Sequence, residues 1–134
     1  MENFVIIALS HPHFAIAAKV VLTSLFWIAG LFGVFKFNAV VQEVVEVNLP
    51  FPRLFAAATI ACQLIGSALL ITNFAGLGWL GAAALAGFTL LTIPYGHAFW
   101  RFEGRKKVSE LQIALEHITV VGGLAVAASL SVIS

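Results

Sequence analysis

Aspartate is absent from this chain of 134 residues, and only 10% of the residues are charged. A soluble domain carries roughly 25% charged residues, so a chain this poor in charge cannot surround a water-soluble core of this size. The net charge is +1, too small for the basic surface that nucleic acid requires, and nucleic acid is excluded as a partner. Cysteine occurs once, at Cys62. One cysteine forms no intrachain disulfide and no Cys-x-x-Cys pair, which argues against thiol redox chemistry by this chain alone. Residues 1–13 hold no Lys or Arg. The basic start of a cleaved signal is missing there, and the first apolar stretch is expected to stay as a helix. Neither a nucleotide-binding loop nor a nucleophile–base motif is present.

What is abundant is apolar. Hydrophobic residues make up 61% of the chain, and the mean hydropathy is +1.05. The class is integral membrane protein, with the lipid bilayer as its first partner. The expected fold is all-α, a four-helix membrane bundle in a single domain over residues 1–134. About 20 apolar residues cross a hydrocarbon core of ~30 Å. Spans are placed at about 14–36, 54–72, 77–99 and 110–133.

Between the first two spans, Phe37, Val40, Val41, Val44, Val45 and Val47 recur at helical spacing, with Asn38, Gln42, Glu43 and Glu46 on the other side. This pattern predicts a short amphipathic helix at the membrane interface. Pro52 suits the first position of the second span. The Ser109-Glu110-Leu111-Gln112 spacing predicts a capped start for the fourth. Gly30 and Gly33 thin the first span for close packing. Pro94 is expected to kink the third.

Polar residues inside apolar segments are the candidates for function. Lys19 either snorkels to the nearby interface or serves an internal pair or polar path. Gln63, at mid-span, needs hydrogen-bond partners from neighbouring helices. Lys36, His97, Arg101, Glu116 and His117 fall at one depth, close to the basic stretch Arg101–Lys107. His97 and Arg101 are four apart and would share a helix face with Trp100 beside them. Glu116 would need a cation, Arg101 or Lys36. Three readings of this layer stay open: an ion pair that holds helix register, a site for a quinone or other lipophilic ligand, and a haem or metal site on His97 and His117. Small residues draw helices together, which disfavours haem. His11-x-His13 lacks a supporting carboxylate, and no metal site is read there.

Loops one and three hold Lys36, Arg53, Arg101, Arg105, Lys106 and Lys107, whereas the second loop and the ends hold no Lys or Arg. The positive-inside rule places those loops in the cytoplasm and both termini outside.

In order and spacing, the chain resembles the DoxX family of small bacterial membrane proteins. The residues that carry the likeness are Lys19, Ala29-Gly30-Leu31-Phe32-Gly33-Val34-Phe35-Lys36, the link Leu49-Pro50-Phe51-Pro52, Gln63-Leu64-Ile65-Gly66, His97-Ala98-Phe99-Trp100, and Glu116-His117 ahead of Gly122-Gly123. Gln63 stands where the family has an acid, Lys19 where it has arginine, and Glu116-His117 where it has a Lys-Asn pair. The resemblance implies a bacterial inner-membrane protein, an accessory or redox-associated subunit of quinone-linked or oxidative-stress complexes, without a general catalytic residue set. A small-solute transporter or channel, acting as an oligomer, and a purely structural subunit are the alternatives.

Overall fold

The computed structural model describes residues 2–133, with the backbone alone at residue 2. The described residues form α-helices joined by turns: α1 (Glu2–Ser10), α2 (Pro12–Leu22), α3 (Ser24–Phe35), α4 (Phe37–Glu46), α5 (Pro52–Thr72), α6 (Gly78–Gly96) and α7 (Gly104–Ile133), with 3₁₀ turns at Phe74–Gly76 and Phe99–Arg101. The all-α expectation holds. By length and composition α5, α7 and α6 with its 3₁₀ extension are each long and apolar enough to cross a membrane.

Ahead of the first expected span, residues 2–10 form a helix of their own, α1. Its axis is turned 63° from α2. His11 causes the break. It precedes Pro12, which pushes it into extended backbone at φ −69° and ψ 135°. Its Nδ1 then accepts the His13 N–H at 3.1 Å. The His11-x-His13 pair therefore serves as a helix cap.

The first expected span, 14–36, is two segments that meet at Thr23. The ladder passes through the junction, because Thr23 N–H donates to Lys19 O at 3.0 Å and Trp27 N–H to Thr23 O at 3.1 Å. The Trp27 indole N–H bonds to Val20 O at 3.0 Å. The Thr23 hydroxyl donates to Lys19 O at 2.7 Å. The Thr23 hydroxyl thus adds a second donor to a carbonyl the ladder already serves, and the Trp27 indole adds a side-chain donor at Val20 O.

The amphipathic helix expected after the first span is α4, which leaves α3 at 108°. Its apolar stripe faces protein. Val40 and Val44 pack on Ala56 and Ile60 of α5, while Gln42, Glu43 and Glu46 are exposed. Pro52 opens α5, two residues before the expected start.

A second core joins the longer segments. Phe26 of α3, Leu70 of α5, Ala82 and Leu85 of α6, and Leu124 and Ala127 of α7 form one buried cluster. α5 and α6 approach closely at paired glycines: a Cβ on Gly81 would stand 2.5 Å from the Gly66 carbonyl oxygen. Outward-facing Leu25, Ile28, Leu31, Ile65, Leu91 and Val126 are exposed, the pattern of helices whose outer solvent is acyl chain rather than water.

Two boundaries differ from expectation and reshape the site. The third span was expected to run through Phe99, yet α6 stops at Gly96. Pro94 lacks an N–H and frees a carbonyl one turn back, so the helix ends soon after it. The fourth span was expected from about 110, yet α7 starts at Gly104. That glycine has φ 63°, a left-handed conformation costly for other residues. Arg105, Lys106 and Lys107 therefore sit on the first turn of a helix, not in a loop.

Candidate functional site

The chain leaves α6 at His97, whose backbone N–H donates to Ile93 O at 2.8 Å. His97 itself is not helical, with φ −137° and ψ 46°. Its imidazole is turned onto α7. There His97 Nδ1 lies 2.8 Å from Glu110 Oε2, and Lys106 Nζ lies 3.1 Å from Glu110 Oε1. A carboxylate only accepts hydrogen bonds, so His97 Nδ1 carries the proton and donates. Both oxygens of Glu110 are thus engaged, and the residue is buried at 8% exposure. Lys106, mostly exposed, also sits 5.2 Å above the Phe102 ring, a cation–π distance.

His117 completes the group. Its ring meets that of His97 edge to face, with centroids 4.9 Å apart and planes at 65°. Its Nδ1 lies 2.9 Å from Ile113 O. A carbonyl accepts, so this nitrogen is also a donor. Both imidazoles are pinned through Nδ1, and each keeps Nε2 for another partner. Rings in edge contact leave no room for a porphyrin between them, so the pair does not fit a bis-histidine haem.

The expected layer is only partly assembled. His97 and His117 come together. Glu116 does not join them: it is exposed and forms no ion pair among the described residues. Its expected pairing with Arg101 or Lys36 is therefore replaced by that of Glu110 with His97 and Lys106. Helical phase explains the difference. Glu110, Ala114 and His117 fall at i, i+4 and i+7 and share the inward face, whereas Glu116 is one residue, about 100°, off it.

The shared face expected for His97 and Arg101 is also absent, because the helix ends between Pro94 and His97. Arg101 instead lines a cleft of about 480 Å³ with Pro94, Tyr95, Glu46, Val47 and Asn48. This cleft brings the end of α4 against the end of α6. Trp100 is exposed and packs on Phe99, with centroids 5.2 Å apart. Lys36 is exposed at the α3–α4 bend.

Gln63 is buried on α5 facing Gly30. Its carbonyl accepts the Ser67 hydroxyl at 2.6 Å. Its side-chain amide makes no hydrogen bond among the described residues, so the expected interhelical bond is not formed. Lys19 lies at another cleft, between α2 and α7.

Glu110 is the residue that sequence reasoning missed as a site member, having assigned it to a helix cap. The signal was available: Lys106 precedes it by four residues, an ion-pair spacing once the helix is extended to Gly104.

The model of the DoxX family matches residues 14–98 of this chain. No curated protein and no solved structure gives a match. The matched stretch ends one residue after His97, so His97 lies inside it and Lys106, Glu110 and His117 lie beyond it.

Proposed function

The chain belongs to the DoxX family and is a multi-pass membrane protein, and from that premise we propose that it binds a lipophilic small molecule with a polar ring at the His97–Glu110 end of the bundle. The observation that carries this reading is the His97 Nδ1 to Glu110 Oε2 contact of 2.8 Å. An imidazole held in this way presents Nε2 to a partner. Neutral, it accepts from a hydroxyl. Protonated and balanced by Glu110, it donates to a carbonyl. A quinone–quinol pair offers these two groups on one ring, with an apolar tail suited to the exposed helix faces. A redox-associated accessory role in a bacterial inner membrane is the setting this ligand implies.

We place α2 and α3 together as one span, which with α5, α6 and α7 makes a four-span bundle. The shared cluster of Phe26, Leu70, Leu85 and Leu124 supports that arrangement. The same apolar cluster lies between the two clefts and supports a ligand site over a continuous polar path. Glu116 supports assembly with a second copy or a membrane redox partner, since a lone carboxylate on a spanning helix is costly.

The test is extraction of the purified protein. Quinone recovered from the parent and reduced at least several-fold in His97→Ala and Glu110→Gln supports the proposal. Equal recovery from all three would reduce His97 to a packing residue. The purified parent is expected to be colourless, without a Soret band.

A further inference from the structure

The cleft at Lys19 is separate from the His97 site. It has a volume of about 390 Å³ and opens between α2 and α7, within the size range of small-molecule sites. Its walls are mostly apolar, with Phe14, Leu22 and Val126 among them, and Lys19, Asn73 and Ser131 are its polar members. Into this cleft comes one cation. Lys19 is half-buried, and its ammonium has no ion pair or hydrogen bond among the described residues. A cation drawn into an apolar setting needs compensation.

A second donor lies in the same wall. Asn73 Oδ1 accepts the Gly78 N–H at 2.8 Å. That contact fixes the orientation of the amide, and both N–H bonds of its Nδ2 remain to donate. Gly123, on the α7 side, lets α2 come close at the floor of the cleft: a Cβ there would already stand 3.0 Å from Leu22 Cδ1.

We propose that this cleft binds a single-chain amphiphile with an anionic head, a long-chain carboxylate. The head takes a charge-assisted hydrogen bond from Lys19 and a further bond from Asn73 Nδ2. The chain lies along the apolar wall between α2 and α7 and passes over Gly123 into the bilayer. A neutral amphiphile would leave the ammonium without a counter-charge, and a small hydrophilic anion would leave the apolar wall unused.

The experiment titrates cis-parinarate, a fluorescent long-chain carboxylate, and the corresponding neutral alcohol into the purified full-length protein in a neutral detergent. The parent should bind the carboxylate about tenfold or more tighter than the alcohol, as expected for a bond to a charged group. Lys19→Met should abolish this preference, and Lys19→Arg should retain it. Gly123→Leu should weaken both probes. Acetate at the same concentration should not displace the carboxylate. Equal binding of the two probes by the parent, an undiminished preference in Lys19→Met, or full displacement by acetate would each overturn the assignment. The comparison within the parent protein stands even if a variant fails to fold. Loss of the quinone site would leave these titrations unchanged, because His97 and Glu110 do not line this cleft.

Discussion

His97 donates from Nδ1 to Glu110 Oε2 at 2.8 Å across a separation of 13 residues, and this bond ties the end of α6 to the second turn of α7. Between His97 and the start of α7 lie the buried Ala98, the 3₁₀ turn and the exposed Phe102–Glu103 link. The contact orients His97 and closes the α6–α7 junction at once. It also neutralises part of an unfavourable local arrangement. Three basic residues stand on the first turn of α7, where the helix dipole disfavours positive charge.

The first prediction ranks three charged residues. Glu110→Ala should lower the melting temperature in detergent by several degrees, because it leaves His97 and Lys106 without their shared acceptor. Lys106→Ala should change it less, since the ammonium is exposed and screened. Glu116→Ala should change it little, unless Glu116 contacts a second copy. A loss for Glu116→Ala in the monomer as large as that for Glu110→Ala would contradict the pairing.

The second prediction compares two glycines on α6. A Cβ at Gly81 would meet the Gly66 carbonyl oxygen at 2.5 Å, while at Gly87 nothing lies within 4 Å. Gly81→Ala should destabilise the protein by ~1–3 kcal/mol through forced separation of α5 and α6. Gly87→Ala should be neutral or stabilising by up to ~1 kcal/mol through helix propensity. Thermal unfolding of both variants in one detergent provides the check, and reversal of their order would refute the close approach.

The third prediction concerns the α2–α3 junction. Trp27→Phe removes the donor that Val20 O receives at 3.0 Å and keeps most of the ring. The expected cost is ~1 kcal/mol. Hydrogen exchange should rise at amides next to Thr23 and stay unchanged on α7. Uniform change across the chain would point to general loosening instead.

The fourth prediction is orientation. The six Lys and Arg residues in and beside the α3–α5 and α6–α7 connections should face the cytoplasm, with both termini outside. Reporter fusions after Ser134 and within residues 101–107 read this directly. A cytoplasmic signal at Ser134 would overturn it.

Local chemistry made much of the fold legible. The apolar run at α5 and the proline at its first position place that helix within two residues. The valine spacing of Phe37–Glu46 defines α4 and the face it buries, because side-chain direction in a helix follows from spacing alone. The class of protein follows from composition, since a chain this apolar has no other stable solvent. His97 and His117 were recognisable as a pair at one depth.

The tertiary structure decided which acid joins them. That choice depends on where α7 begins and on its rotation about its own axis against α6. Spacing assigns residues to a face, but it does not say which face meets a neighbour distant in sequence. Gly104, in its left-handed conformation, starts α7 six residues before the expected position and brings Lys106 and Glu110 into the helix. The packing of Leu124 and Ala127 against Leu85 then sets its phase. With the phase set, Glu110 and His117 turn inward to His97, and Glu116 turns outward and is exposed.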